Sequence, residues 1–148
     1  MSAADVDSGT DRKLLHSVAR TARLSLEAVL NSSDLPVAGT CLIGAYLTHF
    51  VFTRFWLSGG ADRSLEIQGG GDGDGGILVN GTWRGHYWVV ATARGDSYII
   101  DISADQFGMP PCIVRAVSDE PTIYAHGSNT DIDVHLAILV EMGVIPQL

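Results

Sequence analysis

Apolar residues recur every three to four positions over residues 11–30, and most of the basic residues of this stretch lie on the other side of the implied helix. This spacing predicts an amphipathic helix. The polar residues 31–34, followed by Pro36, should end it. The preceding residues 1–10 carry few large apolar side chains, so we expect a disordered tail there.

A second apolar stretch, residues 41–57, has hydrophobic side chains around almost its whole helical circumference. A helix that is apolar on all sides is buried. Threonine is a common helix N-cap, so Thr40 predicts that the helix begins at Cys41. Residues 58–60, Ser-Gly-Gly, should stop it.

The second half of the chain has short apolar or alternating runs between glycine- and proline-rich segments, which is typical of strands. The predicted strands cover residues 64–68, 77–79, 86–93, 97–102 and 112–117. Asn80-Gly81 is a strong signal for a hairpin turn, and residues 132–142 predict a closing helix. Helices followed by antiparallel strands, without βαβ alternation, indicate an α+β fold.

Composition narrows the class of protein. With 148 residues, 46% of them hydrophobic, the chain suits one domain over residues 11–148. The net charge of −8 disfavours binding to nucleic acid. No apolar run reaches the roughly 18 residues of a membrane span, and residues 1–11 lack the features of a signal peptide. We therefore expect a cytoplasmic protein without a membrane segment.

Cys41 stands at the predicted start of the buried helix. The partial positive charge of a helix N-terminus favours the thiolate, which is the nucleophilic form of cysteine. A buried cysteine is also a common small core residue, so Cys41 alone decides little. The other thiol, Cys112, follows two prolines, and we interpret it as structural. A bridge between the two cysteines stays open as an alternative.

His86 and Asp101 stand on consecutive predicted strands. Asp101 lies inside an apolar run, where a carboxylate costs stability unless it has a partner. A histidine at the start of a strand is suited to act as a general base towards a neighbouring element. Taken alone, His86 and Asp101 are each explained equally well by a structural role and by a catalytic role.

The register of the hairpin between these strands decides whether His86 and Asp101 can meet. A turn at Arg94-Gly95, or a loop of residues 93–96, places Asp101 diagonally one step from His86 on the same face. Such diagonal pairs lie about 7–8 Å apart at the backbone, within reach of both side chains. A turn at Gly95-Asp96 would instead separate the two residues by roughly 13 Å and break the pair.

The order Cys41, His86, Asp101 resembles the transglutaminase-like branch of the papain-like cysteine hydrolases. The matching pieces are Gly39-Thr40-Cys41, His86-Tyr87-Trp88 and Ile99-Ile100-Asp101-Ile102. Residues 100–107 also resemble a motif of small bacterial members of this branch. The resemblance spans residues 39–107 and implies a papain-like core in which N-terminal helices pack on an antiparallel sheet.

The resemblance also implies a reaction. Cys41 would attack an amide carbonyl of a protein or peptide substrate and form a thioester, with His86 as the base and Asp101 orienting the imidazole. Peptidase, deamidase and transglutaminase-type acyl transfer all stay open, and neither a cofactor nor a metal is needed. Papain-like peptidases commonly take an oxyanion donor from a glutamine upstream of the cysteine. None precedes Cys41 here, so we expect its backbone N–H to serve, with Trp88 or Gln106 as the second donor.

Other interpretations compete with this one. A non-catalytic module that binds proteins or peptides on the same fold is the main alternative, and a deamidase effector delivered by a partner protein is another. The remaining histidines and Cys112 lack zinc-ligand spacing. Residues 69–76, GGGDGDGG, form a single copy without the repeats of calcium-binding sequences. We expect a flexible acidic loop there, with a lid over the cleft or ion binding as alternatives. The oligomeric state stays open.

Overall fold

The computed structural model describes residues 3–32, 40–71, 73–119 and 123–143, in which two helices precede a run of antiparallel strands. The helices are α1, Ala3–Ser32; α2, Thr40–Phe55; and α3, Asn129–Glu141. The strands are β1, Ser64–Gly70; β2, Gly76–Val79; β3, Thr82–Arg84; β4, His86–Ala93; β5, Asp96–Asp101; β6, Ile113–Ala116; and β7, Tyr124–Ala125. This arrangement confirms the α+β class.

The strands form two antiparallel sheets rather than one. The larger sheet has the order β1-β4-β5-β6, and the smaller one has the order β3-β2-β7. Every strand expected from the sequence is present within a few residues of its predicted bounds. The two strands that were not expected, β3 and β7, have three and two residues, too few for an alternating pattern to be visible.

The main core lies between the first two helices and one face of the larger sheet. Helix α1 buries one stripe at the three-to-four spacing that the sequence predicts, and β4 and β5 bury every second residue towards it. The most buried members are Leu15, Ala19, Ala22, Leu26, Phe52, Trp56, Val89, Ala91 and Ile100. A second, smaller cluster joins the start of α2 to the start of β4 and consists of Cys41, Leu42, Ala45, Tyr87 and Ile132.

Helix α1 begins at Ala3, whereas we expected residues 1–10 to form a disordered tail. For residues 3–10 that expectation is wrong. Extending an existing helix adds one hydrogen bond for each residue that is ordered, so it is far easier than starting a helix, and alanine has the highest helix propensity. Residues 1 and 2 lie outside the described residues.

Helix α2 is buried on all sides only in its first half. Thr40 is its first helical residue rather than its cap, and residues 40–46 are all buried. Towards the other end, Phe50 and Phe55 are 46% and 63% exposed. The prediction of a fully buried helix therefore holds for the half that carries Cys41. None of the helices in the described ranges is both long enough and apolar enough to cross a membrane.

The glycine-rich stretch between β1 and β2 is packed backbone against backbone. A Cβ atom on Gly70 would lie 1.4 Å from the carbonyl oxygen of Asp74, and one on Gly76 would lie 1.9 Å from that of Arg84. The Asp74 carboxylate accepts a hydrogen bond of 2.9 Å from the Ser128 N–H. These described residues are closely packed, and the flexibility expected of this stretch stays a prediction, while residue 72 lies outside the described residues.

Candidate active site

The hairpin β4–β5 has the register that brings His86 and Asp101 together. Its turn residues Arg94 and Gly95 have φ angles of 55° and 80°, as the type I′ turn of a two-residue hairpin requires. Val89 pairs with Ile100, and the same ladder continued places Asp101 diagonally one step from His86. The first of the two registers considered from the sequence is therefore confirmed.

His86 and Asp101 form a buried hydrogen-bonded pair. The imidazole Nε2 of His86 lies 2.7 Å from Oδ2 of Asp101, and both side chains are 0% exposed. The second carboxylate oxygen, Oδ1, accepts a bond of 3.0 Å from the backbone N–H of Ser103. The Tyr124 hydroxyl donates to Oδ2 at 2.9 Å. These bonds engage both carboxylate oxygens and hold Asp101 in one orientation.

Cys41 lies on the other side of the imidazole. It stands in the first turn of α2, is 8% exposed, and lies close enough to His86 to favour the charged form of the imidazole. Because Nε2 of His86 is directed at Asp101, Nδ1 is the ring nitrogen left to face the thiol. The structure thus brings together all three residues that the sequence singles out as a triad, and it places them in a row.

The surroundings of His86 favour its charged form. Burial by itself would lower the pKa of the imidazole, but hydrogen bonds and negative charge from Asp101 and Cys41 outweigh it and raise the pKa to about 9. At neutral pH His86 is therefore an imidazolium between two groups that stabilise positive charge. This is the protonation state in which a neighbouring thiolate is also stabilised.

Aromatic and amide groups border the imidazole. The Phe107 ring meets it edge-on at 5.1 Å between centroids. Nε2 of Gln106 lies 3.4 Å from Nδ1 of His86 and donates a bond of 3.0 Å to the Ser103 carbonyl. Gln106 is otherwise exposed, so its amide stands at the surface beside the ring nitrogen that faces Cys41.

Trp88 lies on the same face of β4 as His86, with 6.1 Å between the two ring centroids. Its indole Nε1 is the only buried side-chain nitrogen or oxygen within the described ranges that lacks a hydrogen-bond partner. An orphaned buried donor is costly and is often explained by a ligand, a water or a catalytic role. The sequence suggests Gln106 and Trp88 as oxyanion donors. The Gln106 amide lies beside Nδ1 of His86, the ring nitrogen that is not bonded to Asp101. The Trp88 indole N–H is the donor that has no partner among the described residues.

Helix α1 fixes the segment that carries Gln106 and Phe107. Both terminal nitrogens of Arg23 donate to the Asp105 carboxylate at 2.9 Å, and Nη1 also donates to the Ile102 carbonyl at 2.7 Å. A bidentate pair of this kind restrains position as well as charge. Asp105 therefore has a structural role, and its partner Arg23 is a site-supporting residue that sequence reasoning missed.

Tyr124 was missed as well. It lies on β7, in the smaller sheet, and packs edge-on against Trp88 at 4.9 Å between ring centroids. A two-residue strand leaves no periodic signal, and nothing near it in the sequence indicates that its hydroxyl reaches Asp101. Only the topology of the two sheets makes the contact visible.

Cys112 and His49 are the other thiol and a further partly buried imidazole near these elements, and the charge of Asp101 also acts on Cys112. Both cysteines are free, so the alternative of a bridge is ruled out in this structure. Cys112 is partly buried against the main core, and burial raises the pKa of its thiol. His49 is half-buried on α2, and burial lowers the pKa of its imidazole.

Among the residues that the structure describes, no group of three or more histidine, cysteine and acidic side chains is arranged to hold a metal ion. Cys41, His86 and Asp101 stand in a row and not around a common centre. A row of thiol, imidazole and carboxylate is suited to moving a proton between its members.

Comparison with known proteins gives no match: no family model, no curated protein and no solved structure is significantly similar to this chain. A functional assignment therefore rests on the geometry of the site.

Proposed function

We propose that the protein is a cysteine-dependent hydrolase or acyltransferase that acts on amides of a protein or peptide, on a papain-like, transglutaminase-like core. The observation that carries this proposal is the buried group of Cys41, His86 and Asp101, in which the imidazole is hydrogen-bonded to the carboxylate and lies beside the thiol. An imidazole and a carboxylate removed from water reduce stability unless they are well paired. Strongly perturbed buried groups of this kind are concentrated at catalytic sites.

The proposed reaction begins with the Cys41 thiolate attacking the amide carbonyl carbon. The bond from sulfur to carbon forms, the bond from carbon to nitrogen breaks, and the His86 imidazolium gives its proton to the leaving nitrogen. The product is a thioester on Cys41. Water or an amine then attacks the thioester, His86 takes the proton of this second nucleophile, and the thiolate is released. Asp101 keeps the imidazole oriented and stabilises its charged form.

The oxyanion that develops on the carbonyl requires hydrogen-bond donors. Cys41 lies in the first turn of α2, where backbone N–H groups have no intrahelical acceptor. We assign the second donor to the Gln106 amide, because it lies beside the ring nitrogen that faces the thiol. Trp88, with its unpaired Nε1, is the other candidate. Preorganised donors of this type commonly contribute about 10²–10³ in kcat.

The proposal is tested by the reactivity of the two thiols. Iodoacetamide at low dose and neutral pH should alkylate Cys41 faster than Cys112, because a thiolate is far more nucleophilic than a neutral thiol. Peptide mapping by mass spectrometry gives the rate at each site. In His86→Ala the preference for Cys41 should disappear.

His49→Ala is the matched control, since His49 lies on the same helix as Cys41, and it should leave the preference unchanged. Labelling in urea checks that both thiols are reactive once the fold is removed. Alkylation of Cys41 no faster than that of Cys112 or free cysteine would overturn the proposal and favour the non-catalytic binding module.

A further inference from the structure

Two donors share one oxygen of the triad carboxylate. Oδ2 of Asp101 accepts from His86 Nε2 at 2.7 Å and from the Tyr124 hydroxyl at 2.9 Å. Tyr124 comes from the smaller sheet, where it pairs with Ile77 of β2. A side chain of the second sheet therefore reaches the buried end of the row that starts at Cys41.

We propose that Tyr124 is a positioning residue of the triad, which fixes the Asp101 carboxylate and limits how tightly that carboxylate holds the proton of His86. The inference rests on the proposed function, in which His86 must release this proton to the leaving group. It assigns the smaller sheet a role in that step.

The physical basis is competition for the charge of one oxygen. A hydroxyl that donates to Oδ2 stabilises the carboxylate and offsets part of its field at the imidazole, and such effects are large where water is excluded. The charged and titratable groups facing His86 are Cys41 from α2 and Asp101 from β5. Its other described neighbours, Trp88, Gln106 and Phe107, carry no charge at neutral pH.

The competition matters because of the two tasks of His86. An imidazolium that is held too strongly stabilises the thiolate but gives up its proton poorly and is a weak base in the second half of the reaction. The Tyr124 hydroxyl, as a further donor to the same carboxylate, weakens the stabilisation of the imidazolium by Asp101 but does not abolish it. Tyr124 is suited to the role, because its ring is fixed edge-on against Trp88 and its hydroxyl is thereby directed at Asp101.

The test is Tyr124→Phe, which removes the hydroxyl and keeps the ring on Trp88. We expect the pKa of His86, measured by NMR of the labelled imidazole, to rise by about half a unit to one unit, since the carboxylate loses a donor. The pH at which Cys41 becomes reactive to iodoacetamide should move as well. Tyr98→Phe is the matched control, because Tyr98 lies on β5 on the opposite face from Asp101 and contacts Arg12.

A second replacement keeps the hydroxyl and strengthens it as a donor. Site-specific 2-fluorotyrosine at position 124 should slightly lower the pKa of His86, opposite in sign to the phenylalanine variant. A residue with a purely structural role would not produce shifts of opposite sign. An unchanged or lowered pKa in Tyr124→Phe, or shifts equal to those of Tyr98→Phe, would overturn the inference.

The outcomes also separate this inference from the proposed function. If Cys41 proves unreactive while the pKa of His86 responds to both replacements, the proposed function fails and the positioning role of Tyr124 remains. If Cys41 is reactive in the way expected and neither replacement moves the pKa of His86, only the role of Tyr124 is wrong.

Discussion

At the scale of single residues, Asp101 is the member of the row on which the charge of the other two depends. It accepts hydrogen bonds at both carboxylate oxygens and is only 1% exposed. Its negative charge therefore acts on His86 with little screening from water.

Asp101→Asn tests that dependence. An asparagine keeps an oxygen that can accept from His86 but removes the charge, so the pKa of His86 should fall from about 9 towards or below the ordinary value of 6.5. The rate of Cys41 alkylation at pH 7 should fall about tenfold or more, because a neutral His86 no longer stabilises the thiolate by its charge.

Asp105→Asn is the control for that substitution. Asp105 is a neighbouring carboxylate that binds Arg23, and its substitution should leave the pKa of His86 near its original value. Equal effects of the two variants would show that loss of any nearby negative charge, and not the contact with His86, explains the result.

The candidate triad could be predicted from the sequence because each member carries a local signal. Cys41 lies at a helix start that the sequence indicates. His86 and Asp101 lie on two strands joined by a short turn, so only a few turn positions, and hence a few registers, have to be considered for this pair. Arg23 and Tyr124 could not be predicted. Arg23 is 82 residues from its partner Asp105, and Tyr124 is 23 residues from its partner Asp101. No sequence pattern near Arg23 or Tyr124 indicates which residue it contacts.

At the scale of elements, the glycine-rich connection between β1 and β2 is a packed unit. Gly70 pairs with His86 across β1 and β4, and a Cβ at this position would overlap the Asp74 carbonyl. Backbone atoms cannot move aside as the end of a side chain can, so the collision has to displace either the end of β1 or the connection that contains Asp74.

Gly70→Ala should therefore destabilise the protein by about 2–3 kcal/mol, as overpacking commonly does. Urea unfolding followed by circular dichroism measures the difference. Gly71→Ala is the matched control, because its Cβ would meet the nearest atom, on His135, at 3.9 Å, which is an ordinary contact. If the two variants were equally stable, the packing described for this connection would be incorrect.

At the scale of the whole molecule, the buried pair of His86 and Asp101 couples stability to pH. His86 has a raised pKa of about 9 in the folded protein and an ordinary value of 6.5 when unfolded. The folded state therefore binds its proton more tightly. The resulting stability is fully present below about pH 6.5 and is lost as the pH rises through 9.

We expect the free energy of unfolding to fall between pH 6.5 and 9, by an amount on the order of 2 kcal/mol. Urea midpoints across this range measure it, and His86→Gln should flatten the dependence. The thiol of Cys112 does not interfere, because its pKa is raised above the ordinary value of 9.0. A wild-type stability that stays constant or increases over this range would contradict the assignment of a charged His86.

The α+β architecture could be predicted from the order of periodic segments, but the division into two sheets could not. β7 follows residues 120–122, which lie outside the described ranges, and pairs with β2 far earlier in the chain. A short strand is stabilised by its neighbour rather than by its own composition, so its sequence carries little information.

The two-residue turn at Arg94 and Gly95 has a consequence for recognising relatives of this protein in genomes. His86 and Asp101 are 15 residues apart, and one residue inserted or deleted between them would direct the carboxylate to the helix-covered face. The same slip would turn the buried Ile100 out of the core, so the fold would be lost together with the pair unless the turn itself absorbed the change as a bulge. A change in the length of this hairpin is therefore more informative than many substitutions, because it puts the core and the triad at risk together.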